Sequence, residues 1–153
     1  MATTEILVFE VNGSVCGVNI ANVVEITTAT AVTTIPATPD EFEGVCSSRG
    51  TIIPVLNLYK ILHKEQRNDT KTMFVTCSYD NVTVAFRTGK VYGIRREESD
   101  SIIAPPKMLY GSNNSTTLLV GVVPTEQLNI LLLDLKRVLQ KLGLDAPYAA
   151  FNK

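Results

Sequence analysis

Apolar and polar positions trade places on a short wavelength throughout the chain, and only once with the spacing of a helix. Glu5 to Val11 reads EILVFEV, apolar with little alternation, which predicts a strand buried on both faces. Asn12-Gly13 follows at once. An Asn-Gly pair between apolar runs predicts a tight hairpin, because both positions tolerate positive φ, so Gly13 is a turn residue and Val15 to Ile20 the return strand. Val23 to Thr28 and Ala31 to Ile35 are further β-rich runs. Pro36 and Pro39 then mark an ordered connection, since each removes a ladder donor. Gly44 to Ser48 and Thr51 to Leu56, the latter containing Pro54, flank a turn at Arg49-Gly50. Asn57 to Leu62 reads as one helical turn, and His63 to Lys71 as a polar surface loop.

A second β block follows. Thr72 to Ser78 and Val82 to Arg87 are joined by Tyr79-Asp80-Asn81, and Val82, Val84 and Phe86 alternate with Thr83, Ala85 and Arg87 at a period of two. Lys90 to Ile94 is a weaker strand, Arg95 to Met108 a charged and then proline-containing stretch, and Gly111 to Thr116 a polar loop. Leu118 to Val123 and Leu128 to Leu133 form the last pair of strands. The one secure helix runs over 134–143: Asp134 caps it, Leu135, Val138, Leu139 and Leu142 recur at i, i+3, i+4 and i+7, and Gly143 ends it. From Pro147 the chain reads as a loosely held tail. Many short strands, frequent turns and one terminal helix predict an all-β barrel or sandwich over a βαβ sheet.

Composition narrows the function classes. A chain of 153 residues, 45% of them apolar, buries enough surface to fold as one globular domain with neither metal nor disulfide. The formal net charge is −1 and no basic block stands out, which argues against nucleic acid. Cys16, Cys46 and Cys77 are odd in number and not at metal-ligand spacing, so they read as buried free thiols in a reducing compartment. Residues 1–9 lack a basic start and a long apolar core, and no run reaches the roughly 20 apolar residues a membrane span needs, so the expected location is the cytoplasm, with no direct membrane insertion.

Candidate chemistry is sparse. His63 is the only histidine and sits at the edge of a polar loop, where a solvated imidazole is the simpler reading than a general base. One histidine and three scattered cysteines make no ordinary zinc site. No phosphate loop, nucleophile elbow or dinucleotide fingerprint is present. Asp40, Glu41 and Glu43, like Glu97, Glu98 and Asp100, read as solvated clusters rather than a catalytic dyad. No cofactor, no metal and no enzyme activity are expected, and the balance tilts toward binding.

Two stretches together resemble a known family. The first runs from Phe9 to Ile26 through Asn12-Gly13, Cys16-Gly17-Val18-Asn19-Ile20 and Val23-Val24-Glu25-Ile26. The second holds Ile35-Pro36-x-x-Pro39, Phe42-x-Gly44-Val45 and Ser48-Arg49-Gly50-x-x-x-Pro54-Val55-Leu56-Asn57-Leu58. In order and spacing, over nearly the full chain, this is similar to the CheW-like domain. The resemblance implies one domain over 1–153 built of two packed five-stranded SH3-like β-barrels. One barrel would span roughly 15–62 and the other roughly 72–133, with the N-terminal strand and the helix at 134–143 packing across them.

The resemblance also implies a function: a non-catalytic adaptor between the cytoplasmic tip of methyl-accepting chemotaxis receptors and the regulatory domain of the histidine kinase CheA. Glu25, Val32, Gly44 and Arg49 would face the kinase, Gly44 and Gly50 chiefly as backbone devices. Val23 would line a groove between the barrels that receives a receptor helix. Four departures from the family pattern stand out: Ser47-Ser48 before Arg49-Gly50, Asn57 for an acid, Cys16 for a tyrosine, and Arg87 among apolar positions. They leave open a diverged scaffold serving a pilus-linked or other array. A small β-barrel that binds oligonucleotides or sugars is a further alternative, although Trp is absent.

Overall fold

The computed structural model describes residues 2–66, 71–104 and 118–144. The loop expected at 111–116 and the tail from Pro147 lie outside the described residues, as does part of the 63–71 loop. Among the described residues ten strands and two short α-helices succeed one another: β1 (Thr3–Val11), β2 (Ser14–Asn19), β3 (Val23–Thr28), β4 (Phe42–Ser48), β5 (Thr51–Asn57), α1 (Leu58–Ile61), β6 (Met73–Tyr79), β7 (Val82–Thr88), β8 (Val91–Glu98), β9 (Leu119–Pro124), β10 (Asn129–Leu133) and α2 (Leu135–Lys141). They form two five-stranded sheets, ordered β8-β1-β2-β10-β9 and β3-β6-β7-β5-β4. Each sheet curls in the manner of an SH3-like barrel.

Local sequence chemistry sets the turns. Asn12-Gly13, Arg49-Gly50 and Asp80-Asn81 all take positive φ at both central positions, the backbone that joins two twisted strands with the fewest residues. Asn57 and Asp134 cap α1 and α2, accepting from the backbone N–H of Lys60 and Arg137 at 3.3 and 3.2 Å.

The core explains the hydrophobic pattern. One cluster unites both sheets and both helices: Leu7, Phe9, Val11, Cys16 and Val18 meet Leu56, Val75, Cys77, Val84 and Phe86, with Tyr59, Leu135, Val138 and Leu139 from the helices. A smaller cluster of Ile6, Val8, Val123, Ile130 and Leu132 fills the first barrel. Another, of Cys46, Ile53, Val55, Phe74 and Ala85, fills the second. β1 therefore has no polar face, because Ile6 and Val8 point into its own barrel while Leu7, Phe9 and Val11 point at the other. Each such side chain, fully buried, contributes about 1.5–3 kcal/mol.

The barrels close by the same device. In the second, Thr33 and Val45 exchange backbone hydrogen bonds of 2.8 and 2.9 Å, joining the chain beyond edge strand β3 to edge strand β4. In the first, Ile103 and Val122 do the same at 2.9 and 2.7 Å, joining the chain beyond β8 to β9. A glycine precedes the bridge residue each time. A Cβ on Gly44 would collide with the Thr33 carbonyl, and one on Gly121 would meet the Ile103 carbonyl at 2.7 Å. The parallel pairings β5–β7 and β10–β2 also correspond. Each half thus repeats one plan of edge strand, bridge, hairpin, capped helical turn and hairpin. In the first barrel that plan is circularly permuted, its last hairpin being supplied by β1 and β2.

This topology corrects the expected boundaries. β1 and β2 pair with β8 to β10, and β6 and β7 complete the sheet begun by β3 to β5, so the division is not 15–62 against 72–133. The permutation is the reason: the second barrel is continuous from β3 to β7, while the first joins β8 to β10 with β1 and β2 from the start of the chain. Ala31 to Ile35 is not a strand either, because the chain is crossing between sheet edges there and pairs with β4 only at Thr33. β8 runs to Glu98, well past Ile94, since its charged end still pairs with Thr3 to Ile6 of β1 while its side chains face solvent. Pro54 lies inside β5 opposite Val45, within the run expected over Thr51 to Leu56. It is tolerated one residue before the ladder to β7 begins at Val55.

Gly44 has φ +148 and no room for a side chain, whereas Gly50 has φ +78 and open space around it. Gly44→Ala is expected to destabilise the fold by about 3 kcal/mol or more and Gly50→Ala by about 1 kcal/mol. Urea midpoints at unchanged m-value measure both; equal midpoints would contradict the closure described for β4.

Candidate functional site

Barrel closure brings edge strand β3 against the β4–β5 turn and assembles a polar cluster there. The Ser48 hydroxyl donates to Glu25 Oε2 at 3.2 Å, and Arg49 Nε stands 3.9 Å from Glu25 Oε1. The Glu25 side chain is 28% exposed and that of Arg49 70% exposed, so the carboxylate is held while the guanidinium remains open to solvent. Two of the expected contact residues are therefore neighbours although 24 positions apart. Ser48, one of the departures from the family pattern, is the residue that orients Glu25. Ile52, opposite Ser47 in the same hairpin, has an exposed side chain, one register step from Ser48 and so on the other face of the hairpin.

The other expected contact residues take structural places. Val32 is half-buried against the Cys46, Ile53, Val55, Phe74 and Ala85 cluster. Gly44 makes the close approach to Thr33. Val23 pairs with Cys77 and packs on the central core. Pro36 and Pro39 bound a turn in which Thr38 Oγ1 donates to the Ile35 carbonyl at 2.9 Å and Phe42 N–H to the Pro39 carbonyl at 3.0 Å.

Arg87 has its reason as well. It closes the end of the second barrel: Nε donates to Glu43 Oε2 at 2.7 Å, Nη1 donates to Thr72 Oγ1 at 2.7 Å, and the guanidinium lies 5.1 Å from the centroid of the Phe74 ring. A charge at this position is accommodated because Glu43 was placed opposite it by the strand order. The ion pair was not legible in the chain, its members being 44 residues apart.

A cleft of about 250 Å³ separates the barrels beside α2. Thr4, Asn19, Ile102, Val120 and Leu132 line one side, Asn22 and Tyr79 the other, and Leu135 and Lys136 the α2 end. Val23 is not on its wall. A second hollow of about 160 Å³ continues it along α2, sharing Tyr79 and Lys136 and adding Asp80, Val82 and Leu139. An open groove of about 1100 Å³ lies between β8 and the β9–β10 turn, lined by Tyr92, Ile94, Arg95, Pro124, Glu126 and Leu128 among others.

Nothing in this arrangement concentrates reactive groups. Burial pushes the thiols of Cys16 and Cys77 up to about 12, and raises that of Cys46. Among the described residues no group of three or more His, Cys, Asp or Glu side chains is placed to hold a metal ion. Among them, too, no helix is long and apolar enough to cross a membrane. The two barrels together present an ordered polar face at the β4–β5 turn and a largely apolar cleft beside α2.

Comparison with known proteins identifies the class. The CheW-like domain model matches residues 5–143. Protein FrzA of Myxococcus xanthus is 35% identical over 142 residues, covering 89% of this chain and 85% of FrzA. Chemotaxis protein CheW of Thermotoga maritima is 25% identical over 139 residues, covering 90% and 89%. The crystal structure of the scaffolding protein TtCheW from Thermoanaerobacter tengcongensis superposes with a TM-score of 0.78 at 25% identity, over 87% of this chain and 90% of that one. The chain belongs to the CheW-like domain family, and it is a non-catalytic scaffold of the kind found in chemotaxis-type systems.

Because the folded thiols hold their protons more tightly than unfolded ones, they contribute stability that is fully present below pH 9.0 and is lost as pH rises from there toward about 12. Iodoacetamide at pH 8 is expected to leave all three cysteines unlabelled in the native protein and to label all three in urea; native labelling of Cys16 or Cys77 would refute their burial. Arg87→Ala, which strands Glu43, is expected to cost about 2 kcal/mol, and Arg87→Ala with Glu43→Gln less than the sum of the single changes. Denaturant titration of the four proteins decides it; simple additivity would mean that the pair contributes nothing.

Proposed function

We propose that this protein couples methyl-accepting chemoreceptors to a CheA-type histidine kinase, as a cytoplasmic scaffold associated with receptor arrays through its partners. The observation that carries this reading is the Glu25–Ser48–Arg49 cluster at the turn of a hairpin that also exposes Ile52, so that this edge of the barrel offers an oriented charge pair and an apolar contact. That combination suits a protein partner: the charges set register and the apolar group supplies buried area. Glu25 and Arg49 touch the kinase regulatory domain. Val32 and Gly44 act on the same face through shape, the first by filling the barrel beneath it and the second by letting β4 close. Val23 acts likewise, holding β3 on the core beside the cleft wall.

The receptor helix lies in the cleft between the barrels, a helix-in-groove contact with an apolar floor. Signalling is positional: receptor and kinase bind different faces of one rigid body, and receptor state biases kinase activity through the shared scaffold. A second reading, service in an array outside standard chemotaxis, draws on the 35% identity to FrzA against 25% to the CheW relatives and on the altered Ser47-Ser48 and Asn57 positions.

Calorimetric titration with the regulatory domain of the host's CheA tests the first reading. Specific binding is expected, with Arg49→Ala about tenfold weaker and its urea midpoint unchanged. Absence of binding to every kinase paralogue of the host would refute the assignment, and full affinity in Arg49→Ala would remove that residue from the face.

A further inference from the structure

The two hollows along α2 share Tyr79 and Lys136, so they form one continuous cleft with Lys136 near its middle. Its charged and polar walls are largely committed within the chain. Asp134 accepts from the Arg137 backbone N–H and stands 3.6 Å from Arg137 Nε. Asn22 donates to the Ser78 carbonyl, Asn19 accepts from Ala21 N–H, and Thr4 is bonded to Ser99. Lys136 is exposed, and no described residue forms an ion pair with it. It is the one basic side chain in a lining whose apolar part is Ile102, Val120, Leu132, Leu135 and Leu139 and whose acids are Asp134, held by Arg137, and Asp80 at the far end. A solvated lysine beside apolar surface lays its stem along that surface and presents its ammonium at the rim. An amphipathic helix seated on the floor would bring its own flank to that rim.

We propose that Lys136 is a specificity-determining residue for the helix bound in this cleft, and that it selects a helix carrying a carboxylate one face-edge away from its apolar stripe. The proposal rests on the receptor-coupling reading and adds the charge that the bound helix must carry. Asp80, at the far end of the same cleft, rejects a second acid there and confines the favourable position to the neighbourhood of Lys136. Lys136 is the second residue of α2, where a glutamate is favourable for the helix, so charge reversal does not endanger the fold.

The test is calorimetry of the full chain against a soluble fragment of the host's methyl-accepting receptor that spans its cytoplasmic tip, at low and at moderate salt. The CheA regulatory domain serves as a second titrant. Lys136→Glu is expected to weaken receptor binding by about tenfold or more at low salt. Lys136→Met, which keeps the stem, is expected to weaken it less and to flatten its salt dependence. Both variants are expected to bind the kinase domain as the parent does. Unchanged receptor affinity and salt dependence in Lys136→Glu would overturn this inference alone. A parent chain that binds the kinase domain but not the receptor tip would overturn the receptor half of the coupling reading, and the inference with it.

Discussion

The two-bond bridge between Thr33 and Val45 is the constraint on which the rest of the second barrel depends. Without it, β3 and β4 are the two free edges of an open sheet, with unpaired donors and acceptors on both sides. With it, the sheet curls, Glu25 arrives beside Ser48 and Arg49, and the end opposite is sealed by Arg87 and Glu43. The bridge exists because Gly44 has no side chain, so a backbone requirement and a surface feature have one origin. The corresponding bridge at Ile103 and Val122 shows the same solution used twice in one chain.

Packing then makes the two barrels a single body. β1 carries apolar side chains on both faces, one set for its own barrel and one for the core shared with the other. The helices that follow β5 and β10 add Tyr59, Leu135, Val138 and Leu139 to that shared core. A scaffold that transmits position needs this property. Partners bound to different faces are held at a fixed relation only if the material between them does not yield, and a close-packed interior yields little.

Much of the fold was legible in the chain, because its cues are local. Asn12-Gly13 and Arg49-Gly50 declare their turns, EILVFEV declares a strand with no solvent face, and Asp134 to Gly143 declares a capped helix. What was not legible depends on partners distant in sequence. Arg95 to Glu98 looks like loop until its pairing with Thr3 to Ile6 is known, and the permuted division of strands between barrels leaves no local trace. At the surface, the family pattern proposes Glu25 and Arg49, and the structure places the two side by side. Val32, Gly44 and Val23 matched the same pattern, yet their side chains or backbones are occupied within the fold. Ser48, Ile52, Lys136 and the Arg87–Glu43 pair were missed, since each gains its meaning only from a neighbour that the topology supplies.

In the proposed function, barrel closure builds the kinase-facing surface at the β3 edge and the β4–β5 turn. Hydrogen–deuterium exchange of the full chain, with and without the CheA regulatory domain, tests it most directly. Added protection is expected only at 24–26 and 47–52, with the inter-barrel cleft unchanged until a receptor fragment is added. Protection over β8 and the β9–β10 turn, with none at those two segments, would contradict it.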